Sequence, residues 1–116
     1  MIGMVAQARM GSHRLPGKVL APLAGVPALK WMIERLKRSR ETDIFVVATG
    51  YNSENDVIEA LCRRENVAVY RGSDEDVLAR YAGAASFYDL DAVVRITADC
   101  PLLDAAVVDR IVREYK

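Results

Sequence analysis

Apolar positions along this chain follow two alternating periodicities. Four short runs, IGMVAQA at 2–8, DIFVVAT at 43–49, VAVY at 67–70 and AVVRIT at 92–97, are β-branched and apolar on both faces, as strands buried in a parallel sheet are. Between them, apolar residues recur at three and four. In PALKWMIERLKRS (27–39), Leu29, Met32, Ile33 and Leu36 form one stripe, and Pro27 suits a first helical turn. SENDVIEALCRR opens on Ser53 with Asp56 three residues on, an approximate capping box ahead of Val57, Ile58 and Leu61, and should end near Asn66. A third helix is expected from Ser73 or Asp74 to Tyr88, with Val77, Leu78, Tyr81, Ala82 and Ala85 inward and Gly83 as its weak point. A fourth follows Asp104, a good N-cap, and carries Val107, Val108, Ile111, Val112 and Tyr115.

Strand and helix thus alternate four times. That pattern predicts an α/β fold: a Rossmann-like open, mainly parallel sheet with flanking helices and right-handed crossovers. Residues 1–116 read as a single domain without linker or repeat. Four parallel strands make a small sheet. The expectation is either that another chain covers an open sheet edge or that these residues are the front part of a larger domain.

Composition adds a charge asymmetry. The 116 residues are 52% hydrophobic and 28% charged with no formal net charge, as in soluble globular proteins. Residues 1–40 nevertheless hold eight Lys and Arg against the single acid Glu34, and residues 41–116 hold eight against fifteen. The first third is a basic pole, which suits nucleic acid, a membrane surface or a phosphorylated small molecule. Cys62 and Cys100 have neither CxxC spacing nor histidine partners, so neither a disulfide framework nor a zinc site is expected. No signal peptide is evident and no apolar stretch approaches the roughly 20 residues of a membrane span. A cytoplasmic location is the expectation.

The basic pole is concentrated in QARMGSHRLPGKVL (7–20), directly after the first strand. In an open α/β sheet, ligands bind at the carboxyl ends of strands. There, backbone N–H groups at Gly11 and Ser12 could approach a polyphosphate, with Arg9 and Arg14 as forked donors and Lys18 as a point charge. Pro16 and Gly17 would fix the return path. The turn is no Walker A loop, since Ser12 and Val19 stand where that motif needs glycine and Ser or Thr, and GxGxxG is absent. A cationic turn suits a nucleoside triphosphate, whose reaction at the α-phosphorus builds negative charge that fixed cations stabilise. In RITADCPLLD (95–104), Asp99 lies just past the fourth strand and could hold Mg²⁺ bridging phosphate oxygens. In YRGSDEDVLARY, Arg71 and Arg80 are candidate ligand contacts, whereas the acids suit a helix N-terminus. His13 lacks a carboxylate partner and is a weak candidate base.

Taken together, QARMGSHRLPGKVL, ATGYNSENDVI, YRGSDEDVLARY and RITADCPLLD resemble the cytidylyltransferases that activate sugar acids, with the spore coat polysaccharide biosynthesis protein F branch nearest. The resemblance implies a nucleotide-diphospho-sugar transferase fold. The implied reaction is CTP plus a sugar acid giving CMP-sugar plus pyrophosphate, with Mg²⁺, for surface or spore-coat polysaccharide synthesis. It implies Arg9 and Lys18 as the triphosphate-binding, catalytic pair and Ala8, Gly11, Ser12, Arg14 and Arg80 as further nucleotide-binding residues, with Asp99 as metal ligand. The family's usual chain is about twice as long. Its later half supplies a second metal-binding aspartate, much of the sugar pocket and a homodimer contact, so residues 1–116 are expected to be a nucleotide-binding N-terminal part.

Two other classes remain open. A glycosyltransferase of similar fold would favour a D-x-D metal site, and the spacings at 74–76 and 89–91 fall at a predicted helix start and just before a strand. A non-catalytic nucleotide-binding module is the other. Nucleic-acid binding ranks last, because the basic turn lacks interleaved aromatics for stacking.

Overall fold

The computed structural model describes residues 1–10, 22–23, 26–97 and 105–116. All four predicted strands form, as β1 (Ile2–Gln7), β4 (Ile44–Gly50), β5 (Ala68–Gly72) and β6 (Ala92–Thr97). The four helices are α1 (Ala28–Leu36), α2 (Asp56–Arg64), α3 (Val77–Phe87) and α4 (Ala105–Tyr115). A two-residue antiparallel pair, β2 (Pro22–Leu23) and β3 (Val26–Pro27), precedes α1 and had no periodic signal. Pro27 therefore sits in β3, one residue ahead of the helix it was expected to begin.

The sheet is wholly parallel, with strand order β5-β4-β1-β6. From β1 the chain steps outward through β4 to β5, then returns to the far side of β1 as β6. That reversal dictates which face each helix covers. Residues of α1, α2 and α4 pack with Met4, Ala6 and Val47 in one core, whereas Tyr81 and Ala84 of α3 pack with Val5, Val46 and Ala48 in the other. Right-handed crossovers running in opposite directions must lie on opposite faces. Leu29, Met32, Ile33 and Leu36 are all fully buried, and each contributes roughly 1.5–3 kcal/mol.

The other helical stripes differ from expectation in part. The helix predicted from Ser53 begins as a 3-10 turn over Ser53–Asn55, and the capping box does not form: the N-cap of α2 is Asn55, without a side-chain cap bond. Val57 is exposed whereas Ile58 and Leu61 are buried. The N-cap of α3 is Asp76, which accepts from Ala79 N at 3.0 Å. Val77 and Leu78 are exposed, Ala82 likewise, and the buried stripe of α3 runs through Arg80, Tyr81 and Ala84. On α4, Val108 and Val112 are buried, whereas Val107, Ile111 and Tyr115 are exposed.

The ends of α2 and α3 follow one design. Asn66 and Asp89 both take φ of 57°, and the bonds Val67 N to Cys62 O (2.9 Å) and Leu90 N to Ala85 O (2.8 Å) close each last turn. Both are Schellman caps built without glycine.

Candidate functional site

In this strand order the chain reverses between β1 and β6, so the ligand crevice expected of an open α/β sheet lies beyond their carboxyl ends. Residues 8 and 98 begin the two segments that leave those ends.

Ala8 continues the β1 ladder, its N–H donating to Ala48 O at 2.9 Å, and its methyl group is fully buried in the core. Arg9 follows and donates through Nη1 to Asp74 O at 2.8 Å. The Met10 N–H donates to Asn55 Oδ1 at 2.9 Å. The start of the basic turn is thus held by two other loops, those after β4 and β5.

At that end of the sheet β4 and β5 finish on a directly paired glycine, Gly50 opposite Gly72. A methyl group on Gly50 would stand 1.9 Å from Asp74 Oδ1, and one on Gly72 would stand 3.0 Å from Tyr70 Cε2 and in ordinary contact, 3.4 Å, with Arg80 Cγ. The absent side chain at Gly50 leaves room for Asp74. The Asp74 carboxylate accepts from Asn55 Nδ2 (3.0 Å) and Asn52 N (2.9 Å).

Arg80 is fully buried. Its Nη1 donates to Ser73 O and Asp74 O, each at 2.9 Å, and its Nη2 to Gln7 Oε1 at 2.6 Å. Two guanidiniums therefore converge on the Asp74 carbonyl. Among the described residues neither forms an ion pair, and Arg80 Nε is buried without a partner. Burial, with the like charge of Arg9 second, pulls the Arg80 guanidinium below its ordinary value, although Asp74 and Asp76 oppose this. Two cations held by neutral carbonyls leave positive potential unspent, which suits an anion.

Arg71 lies apart from this cluster. It donates to Gly50 O (2.9 Å), Asn52 O (2.8 Å) and Asp56 Oδ1 (2.6 Å), bracing the 50–56 segment, and the bond to Asp56 leads the causes that raise its pKa. Both D-x-D spacings have structural occupations. Asp74 joins the network above and Asp76 caps α3, whereas Asp91 pairs with the Met1 amino group and Asp89 takes the left-handed cap position.

Of the residues expected in the site, Ala8, Arg9 and Arg80 are described, and the structure brings Arg9 and Arg80 together. Gly11, Ser12, Arg14, Lys18 and Asp99, with His13, Cys100 and Asp104, lie outside the described residues. Among the described residues no three His, Cys, Asp or Glu side chains cluster in a way that would hold a metal. Gln7 and Asn55 were not singled out from the sequence, and Asp74 was read as part of a helix start. Two glycines ending adjacent strands were the available signal that a neighbouring loop closes in there.

The sequence profile of the cytidylyltransferase family matches residues 4–116. The chain belongs to that family. Spore coat polysaccharide biosynthesis protein SpsF of Bacillus subtilis (strain 168) is 35% identical over 96% of this chain and 48% of its own length. A 3-deoxy-manno-octulosonate cytidylyltransferase of Trichlorobacter lovleyi is 31% identical over 96% of this chain and 43% of its own. The solved structure of a cytidylyltransferase from Leptospira borgpetersenii superposes with a TM-score of 0.92 at 42% identity, over 97% of this chain and 48% of that one. This cytidylyltransferase chain therefore spans about half the length of the curated relatives it matches. No helix among its described residues is long and apolar enough to cross a membrane.

Proposed function

We propose that this chain is the CTP-binding portion of a nucleotidyltransferase that joins CMP to a sugar or sugar acid and releases pyrophosphate. The observation that carries the reading is the convergence of Arg9 and Arg80 on the Asp74 carbonyl, beside the strand-order switch, with no ion pair between either cation and a described carboxylate. Membership of the cytidylyltransferase family supports CTP as the nucleotide.

In this reading Arg9, with Arg14 and Lys18 further along the same segment, binds the triphosphate, and N–H groups at Gly11 and Ser12 line the phosphates. A hydroxyl oxygen of the acceptor bonds to the α-phosphorus as the bond to the bridging oxygen of pyrophosphate breaks, and the hydroxyl proton passes to water. Arg9 and Lys18 hold the charge that gathers on the leaving group. Arg80 serves from behind, because its Nη1 and Nη2 already donate to Ser73, Asp74 and Gln7. It fixes the carbonyl against which Arg9 rests and adds its field. Among the described residues no cluster would hold a metal, and Asp99 would be a ligand of the Mg²⁺ that the family resemblance implies, which would supply positive charge to the phosphate oxygens.

Isothermal titration with CTP, ATP, GTP and UTP, each with and without Mg²⁺, tests this. Selective CTP binding that falls at least about tenfold in Arg9→Ala and Lys18→Ala, with the folded far-UV spectrum retained, is the expected result. Equal binding of all four nucleotides, or unaltered CTP binding in both variants, would overturn it.

A further inference from the structure

The acids of YRGSDEDVLARY read, from sequence, as a helix start. Asp76 fulfils that role and Asp74 does not. Asp74 grips the start of the basic turn in two ways. Its carbonyl receives Arg9 at 2.8 Å, and its carboxylate orients the Asn55 amide at 3.0 Å. The other end of that amide, Asn55 Oδ1, receives the Met10 N–H at 2.9 Å. Asn55 is fully buried, so its amide can turn only by leaving polar atoms unpaired. The second Asp74 oxygen is fixed by Asn52 N at 2.9 Å, and Gly50 leaves the carboxylate its space. A side chain after β5 thereby sets both the guanidinium of Arg9 and the backbone direction at Met10, where the basic turn begins.

We infer that Asn55 and Asp74 are positioning residues for the phosphate-binding turn: the pair presets Arg9 and Met10 so that the triphosphate meets an already formed edge. This rests on the triphosphate reading above and extends it to residues that touch no substrate. Preorganisation of this kind contributes affinity because ligand binding no longer has to order Arg9 and Met10.

Charge makes the inference separable from simple electrostatics. Asp74 places a carboxylate beside a site for an anion. By charge alone, Asp74→Asn removes a repulsion and tightens binding of a triphosphate. By positioning, the same change sets an amide N–H against either the Asn55 Nδ2 or the Asn52 N–H, frees the Asn55 amide and weakens binding. The swapped pair, N55D with D74N, regains complementarity. Its carboxylate, now at position 55, accepts from Met10 N and from the new amide at position 74, whose oxygen accepts from Asn52 N, with the original net charge.

The test is titration of the wild-type chain, N55D, D74N and the swap with CTP and with inorganic tripolyphosphate, alongside amide hydrogen exchange at Met10. Both single variants are expected to bind each probe about tenfold more weakly and to exchange Met10 faster, whereas the swap returns to within about threefold of wild type. Binding in D74N that is unchanged or tighter overturns the inference, and so does a swap no better than the singles. If D74N does not fold, N52P replaces it. That position is exposed, its φ of −59° suits proline, and the change deletes one donor to Asp74, with the same two outcomes. If the wild-type chain binds neither probe, the functional reading fails and Met10 exchange alone decides: slow exchange retained in D74N overturns the positioning, and faster exchange sustains it.

Discussion

Adding a methyl group to Gly50 perturbs one defined contact. Its Cβ would stand 1.9 Å from Asp74 Oδ1, 2.5 Å from Asp74 Cγ and 3.1 Å from Asn55 Nδ2. The backbone of Gly50 lies in β4, opposite Gly72, and its φ is outside the left-handed range, so alanine meets no conformational obstacle. The collision is therefore chiefly with the Asp74 carboxylate, which must rotate away from both Asn55 Nδ2 and Asn52 N, while the Asn55 amide must give by only a few tenths of an ångström. The bond to Asn52 N is exposed and contributes little. The buried Asn55 amide is left without its acceptor, at about 2 kcal/mol. Lower freedom of the unfolded chain returns about 0.5 kcal/mol. A net loss of about 1.5 kcal/mol shifts a urea midpoint by about 1 M for a chain of this size. The assay is urea unfolding of Gly50→Ala, Asp74→Ala and the double variant, followed by circular dichroism. In the Asp74→Ala background the new methyl group meets no carboxylate and only the Asn55 amide stays close, so the alanine should cost little and the cycle should show coupling of about 1–2 kcal/mol. A Gly50→Ala variant within about 0.5 kcal/mol of wild type, or strict additivity, would refute the argument.

Asp109 on α4 is buried and accepts from Ser39 Oγ (2.6 Å), Arg40 N (2.9 Å) and Glu41 N (3.0 Å), tying that helix to the segment before β4. Burial opposes its charge, but these bonds and Arg113 outweigh it and hold the carboxyl below its ordinary value. A depressed folded pKa stabilises the protein above the unfolded value of about 3.9, and that contribution fades as pH falls through the folded pKa. Asp109→Asn should therefore cost about 2 kcal/mol near neutral pH and progressively less below about pH 4, read from urea midpoints; a pH-independent difference would count against this. The Cys62 thiol is fully buried, and burial, with Glu59 adding, pushes its pKa up to about 12. In a Cys100→Ser background it should resist a disulfide-exchange reagent in the native state and react fully in urea; rapid native reaction would show that α2 opens locally.

How much of this could be read from the chain depended on what each position signals. Buried parallel strands announce themselves by apolar residues on both faces, and all four were found to within two residues at either end. α1 was equally plain, because its buried stripe is purely aliphatic. α3 was not, because Arg80 lies in the middle of its buried stripe, and assigning charge to solvent rotates the inferred face toward Val77 and Leu78. The acids at 74–76 gave a second ambiguity. Three acids ahead of a helix look interchangeable, yet Asp76 caps it, while Asp74, two residues earlier, turns back to a loop 19 residues away in sequence. Local pattern carries the first role. The second depends on which loops the topology brings side by side. Arg9 was legible as cationic and as following a strand, but not its anchorage on residue 74.

The reversal of strand order explains why a charged residue is buried on α3 at all. Because the chain returns from β5 to the far side of β1, α3 crosses the face opposite α1 and α2 and starts from the carboxyl end of β5. From there the Arg80 side chain reaches back over the end of β4 to Gln7 on β1. Residues of β4 facing that side near its end are Ala48 and Gly50, so little stands in its path. A lysine could not replace it, since one ammonium cannot meet Ser73 O, Asp74 O and Gln7 Oε1 at the spacing of a planar fork. The desolvation that this guanidinium suffers is opposed by those three oxygens at hydrogen-bond distance and by the more distant charges of Asp74 and Asp76, with no carboxylate in direct contact among the described residues. Neutral acceptors hold the side chain in place without a direct ion pair among the described residues, and in the proposed reading its charge acts on the triphosphate.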